Sequence, residues 1–124
     1  MSIRWAIAAV LIPGLLLAQV ARGEPPINVQ IQVSYLLGYV EGSGCEFYRN
    51  GSRYDSKAAQ AHLRDKYEYL ASRDAIHTAE DFIAGAATVS SFSGQPYQVR
   101  CNGGATMTSS QWLRDELARF RAFR

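Results

Sequence analysis

Hydrophobic positions change their spacing several times along this chain, and each change marks an element. From Trp5 to Val20 nearly every residue is apolar, behind a single charge at Arg4, and the run ends at Ala21-Arg22-Gly23. A charged start, a continuous apolar run and a small-residue exit are the layout of a secretory signal peptide. Cleavage is expected after Gly23, so that the exported chain opens at Glu24-Pro25-Pro26. An uncleaved anchor is the weaker reading, because the run is short for a bilayer span and Pro13-Gly14 interrupts it. No stable membrane span is expected once residues 1–23 are gone.

The next stretch is ambiguous. Ile27, Val29, Ile31, Val33 and Tyr35 alternate as in a strand, whereas Val29, Val33, Leu36, Leu37 and Val40 keep helical spacing. Helix is the better reading, since the second half fits only that period and Gly42 and Gly44 supply a stop. Residues 45–54 then read as a hairpin. Asn50-Gly51 is the preferred pair for a type I′ turn, which needs positive φ at both positions. A two-residue loop sets Phe47 opposite Tyr54 and Tyr48 opposite Arg53, and alternation places Cys45, Phe47 and Tyr54 on one face.

Asp55 is placed to cap a helix running to Leu70, with Ala59, Leu63, Tyr67 and Leu70 as its inner stripe. Thr78 caps another, with Glu80 and Asp81 at the positive end of its dipole and Phe82, Ile83, Ala86, Ala87 and Val89 on its buried side. Ser90–Gln95 is a loop of small residues, and Pro96 leads into a strand at 97–101 that shows Tyr97, Val99 and Cys101 to one side. After Asn102-Gly103-Gly104, Thr108 and Gln111 form a capping-box pair. Leu113, Leu117 and Phe120 line the last helix, on which Asp115 and Arg119 are an i,i+4 pair. The expected fold is α+β: about four helices packed on a small three-stranded antiparallel sheet, made of hairpin 45–54 plus strand 97–101.

Composition changes this picture in three ways. Taking residues 1–23 from 124 leaves 101, enough for a single small domain over 24–124. Arg4 and Arg22 leave with the leader, so 13 basic residues become 11 against 11 acidic ones, and a neutral domain gives no electrostatic case for nucleic acid. The cluster of five arginines from Arg100 to Arg124 reads as a solvated helix face rather than a contact for an anionic surface. Cys45 and Cys101 are the only two cysteines, and in an oxidising compartment a disulfide is preferred to a free catalytic or metal-binding thiol.

Several segments carry a resemblance. They are Ser43-Gly44-Cys45-Glu46-Phe47, Arg49-Asn50-Gly51-Ser52 with Tyr54, His62-Leu63, Lys66-Tyr67-Glu68-Tyr69, Ala79-Glu80-Asp81-Phe82-Ile83, Ser93 through Cys101, and Trp112-Leu113 with Leu117. In order and spacing they resemble a family of small secreted bacterial proteins whose domain has no assigned function. The resemblance implies a periplasmic protein with one disulfide, and it brings no catalytic or binding residues with it.

Candidate chemistry is sparse. His62 and Lys66 share a helix face, and with Arg49, Asn50 and Tyr97 they are expected to line one polar site near the hairpin. There His62 serves as a base or an anion ligand, or simply as a hydrogen-bonded structural histidine. Tyr48 and Arg100 on the outer sheet face form a second candidate contact surface, since exposed Tyr and Arg are typical anchors. His62 and His77 are the only histidines, with no HExxH or CxxC spacing, so no metal and no cofactor are expected. Gly42-Ser43-Gly44 is a turn and not a nucleophile elbow. No catalytic residue is assigned. The leading expectation is a non-enzymatic periplasmic module that binds a protein or an envelope component. The rivals are a small hydrolase using His62 and a purely structural envelope component. A concave pocket holding His62 would favour the hydrolase, and a convex Tyr48/Arg100 patch the binding module.

Overall fold

The computed structural model describes residues 24–123. The expected signal peptide and its cleavage point lie outside them. Four helices and four strands follow in the order α1 (Ile27–Gly42), β1 (Glu46–Arg49), β2 (Ser52–Tyr54), α2 (Ser56–Ser72), α3 (Ala79–Ala86), β3 (Gln98–Arg100), β4 (Thr106–Thr108) and α4 (Ser109–Ala122). Among the described residues no helix is long and apolar enough to cross a membrane.

In α1 the helical spacing wins over the alternating one. Val29, Val33, Leu36, Leu37 and Val40 are all buried, while Ile27 and Ile31 stand 68% and 54% exposed. The other helices begin at side-chain caps. Asp55 accepts from the Ala58 N–H, Thr78 forms a capping box with Asp81, and Thr108 accepts from the Gln111 N–H. Each cap satisfies an amide that the first turn leaves without a partner.

The sheet is antiparallel in the order β2-β1-β3-β4. Its pairing register aligns Tyr54, Phe47, Val99 and Met107 in one row. Cys45, Arg49, Tyr97 and Cys101 keep the same parity, so that face looks toward the helices. The opposite face carries Tyr48, Arg53 and Gln98. Cys45 and Cys101 form a disulfide between the entry of β1 and the exit of β3. The core is largely closed by α1, α3 and α4: Val33, Leu36, Phe82 and Ile83 are completely buried, and Trp112 packs at 4.6 Å from the Tyr39 ring and edge-on to Phe47.

Four expectations are corrected. The sheet has four strands, not three, because Thr106–Thr108 pairs with β3 before the chain enters α4. Val89 is exposed: α3 ends at Ala86, and Val89 forms an isolated bridge with Pro96 beyond it. Gln111 does not close a capping box; its amide donates to Asp115 at 2.7 Å. Arg119 therefore pairs with Glu116, one turn along, at 2.8 Å. Glu116 is buried and also accepts from the Tyr35 hydroxyl, so the carboxylate is satisfied on both sides. Tyr39 and Tyr67 border the core, whereas Tyr35, stacked on Phe120, and Tyr69, under Arg73, are 37% and 57% exposed.

The hairpin turn has φ of 53° at Asn50 and 79° at Gly51, as type I′ requires. Space around Gly51 is open, so a side chain there meets no clash and only the backbone objects. Gly51→Val is expected to cost at least about 1 kcal/mol more than Ser52→Val, because left-handed backbone disfavours a β-branched residue. Urea midpoints of the two variants measure the difference, and equal shifts would refute the turn assignment.

Candidate functional site

The inner sheet face does not pack fully against α2. Between β1, the start of α2, the end of α1 and α4 lies a cavity of about 150 Å³. Its walls are mostly apolar: Val40 from α1, Phe47 from β1, Ala59 and Leu63 from α2, Trp112 and Leu113 from α4. Polar groups stand at the rim. Arg49, Tyr54, His62 and Tyr97 line it there.

These positions follow from local structure. Register puts Arg49 on the same face as Phe47, one residue short of the turn, so its guanidinium reaches toward α2. It lies 5.2 Å above the Tyr54 ring, and Nη2 donates to the Tyr54 hydroxyl at 3.2 Å. Nη1 stands 3.3–3.4 Å from both ring nitrogens of His62. On the other side of the imidazole, the Tyr97 hydroxyl is 3.0 Å from Nε2. Lys66, one turn beyond His62, donates to that hydroxyl at 3.2 Å and to the Val89 carbonyl at 3.3 Å.

Donor capacities order this cluster. Lys66 can only donate, so the Tyr97 oxygen accepts from it and has its own proton to give to Nε2. Arg49 can likewise only donate, so the imidazole must offer it or Tyr97 an unprotonated nitrogen and is neutral. Its electrostatics agree. Burial holds the His62 pKa below its ordinary value, and the neighbouring Arg49 and Lys66 charges push the same way; only Asp65 opposes them. Neither Arg49 nor Lys66 has a carboxylate partner among the described residues, where the ion pairs lie elsewhere. The rim is thus a ring of hydrogen-bond donors with positive charge and no anion.

The sequence candidates separate into three groups. Arg49, His62 and Tyr97 meet at the cavity rim. Lys66 joins the cluster from behind, in a neighbouring open groove of about 270 Å³ shared with Asp65, Tyr69 and Leu70. That groove is larger, but much of its wall is exposed side chain at Asp65 and Tyr69, so it encloses a guest less well. Asn50 stays outside: at the turn tip its side chain accepts from Ser93. Arg100 lies apart from the cavity, which Tyr48 borders, and both side chains converge on Glu46. Tyr48 donates to that carboxylate at 2.8 Å and Arg100 lies 3.3 Å from it, with Arg53 at 3.2 Å. The Tyr48 bond, followed by the two arginines, holds the Glu46 carboxyl below its usual pKa.

The cavity walls were missed by sequence reasoning. Val40, Leu63, Trp112 and Leu113 carry the same apolar signal whether they fill a core or face a void, so no pattern marks them. Among the described residues no three His, Cys, Asp or Glu side chains converge as a metal cage would need.

Residues 27–121 match the family of unknown function DUF5329. The chain belongs to this family. The match runs from the start of α1 nearly to the end of α4, so it takes in every residue of the cavity and its rim. No curated protein and no solved structure matches the chain.

Proposed function

We propose that this DUF5329 domain is a small periplasmic, non-enzymatic binding module, and that a protein or envelope component places an apolar group in the cavity bounded by Phe47, Leu63 and Trp112. The observation that carries the reading is the concave apolar pocket itself: about 150 Å³, open to solvent on one side, walled by buried side chains and large enough for a benzene-sized guest.

A second reading keeps some support. His62 does sit at a concave site, bonded to a tyrosine hydroxyl, as a small hydrolase would need. Binding is favoured because the imidazole is wedged against a guanidinium and, among the described residues, no carboxylate is bonded to it to stabilise an imidazolium, as general-base chemistry asks.

Toluene is a suitable first probe for the full chain. At ten times its Kd a guest bound only by the folded state adds about 1.4 kcal/mol, a rise of several degrees in Tm for a domain of this size. Ala59→Phe, which fills the cavity from α2, is expected to abolish that rise. No response of the native chain to toluene would refute the reading, and so would a response that Ala59→Phe leaves intact.

A further inference from the structure

The rim says more than the walls. Every polar group there is a donor or has a donor to spare. Arg49 is donor-only. Tyr54 accepts from Arg49 and keeps its own proton, and the neutral His62 ring carries one N–H. An apolar guest alone would use none of them. An occupant with an acceptor at one end would use several at once.

The number of charges narrows the class. Among the described residues Arg49 is the one cation that lines the cavity. Lys66 faces the neighbouring groove, where its ammonium lies 5.1 Å from the Tyr97 ring and donates to the Tyr97 hydroxyl. Asp65 opens on that same groove, and Glu46 belongs to the outer sheet face with Tyr48 and Arg100. One unpartnered guanidinium at the mouth of an apolar void balances one negative charge, not two. A planar fork of N–H groups also matches a carboxylate.

We propose that the cavity selects a small monocarboxylate, with an apolar body of about one aromatic ring in the void and its carboxylate on Arg49 at the rim. The proposal rests on the binding reading above and deepens it. Arg49 makes the direct contact. Tyr97 and Lys66 are positioning residues that hold His62 beside it. A carboxylate arriving next to His62 favours protonation of the imidazole, so by linkage affinity rises as pH falls. The groups that set this response are Arg49 on β1, Tyr54 on β2, His62, Asp65 and Lys66 on α2, and Tyr97 before β3.

Calorimetry on the full chain with toluene, benzoate, benzylamine and phenyl phosphate tests the proposal. Benzoate is expected to bind at least about tenfold tighter than toluene, since a charge-assisted pair is the stronger kind of hydrogen bond. Its affinity should rise several-fold from pH 8 to pH 6, while that of toluene stays flat. Arg49→Met should remove the preference and leave toluene bound. His62→Gln should keep the preference and lose its pH dependence. Benzoate no tighter than toluene overturns the proposal, as does tighter benzylamine or a preference that survives Arg49→Met. Tighter phenyl phosphate overturns the assignment to a monocarboxylate. Should Arg49→Met fail to fold, the four-ligand comparison on the native chain still decides. Failure of all four to bind contradicts the binding reading itself, whereas toluene bound as well as benzoate contradicts only this inference.

Discussion

Opening the Cys45–Cys101 disulfide is expected to lower the unfolding free energy by about 4 kcal/mol, whether by reductant or by replacing both cysteines with alanine. The bond closes a loop with a sequence separation of 56 residues, and the loss of freedom in the unfolded chain grows slowly with loop length. In the folded state the two residues flank β1 and β3, which are already paired through Phe47 and Val99. The link therefore adds little native contact and acts chiefly on the unfolded chain. Against a total of about 5–15 kcal/mol for a small domain this is a large share. Urea unfolding with and without reductant measures it. A difference below about 1 kcal/mol would mean that the sheet and helices hold the chain together without the cross-link.

Phe82→Ala is expected to cost about 3–5 kcal/mol. Phe82 is completely buried on α3, with Tyr67 edge-on at 5.7 Å. Its neighbours Ile83 and Ala86 are equally closed off, so the site has little room to collapse. The contrast with Ala59→Phe is informative. Cutting a side chain from the α3 core makes a void and loses stability. Adding one at Ala59 fills a void already present, and should cost little or stabilise. A loss below about 1.5 kcal/mol for Phe82→Ala would mean that α3 is less firmly packed than its burial indicates.

How far the sequence spoke for the structure varied with the length of the signal. The hairpin was legible to the residue, because Asn50-Gly51 admits one common turn and the turn sets the register. Helix starts were legible at Asp55, Thr78 and Thr108, where a short polar side chain has one good partner. β4 was not, since Thr106-Met107-Thr108 is too short to display a period and its last residue doubles as the cap of α4. The Asp115–Arg119 pair failed for a related reason. Spacing permits i,i+3 and i,i+4 partners alike, and Gln111 and Glu116 settled the choice. At the candidate site, the meeting of Arg49, His62, Lys66 and Tyr97 could be anticipated from strand parity and one helix face. The void they border could not. It arises from the fit of α1, α2 and α4 against the sheet, and no single segment records that fit.

The account turns on whether a guest enters between β1, α2 and α4. Methyl-resolved NMR of the full chain, titrated with toluene, tests this most directly. The account predicts that shifts concentrate on the methyls of Val40, Leu63 and Leu113, which line the cavity. Shifts confined to Leu70 in the neighbouring groove, or to Ile27 and Ile31 on the outer side of α1, would contradict it, as would no shifts at all.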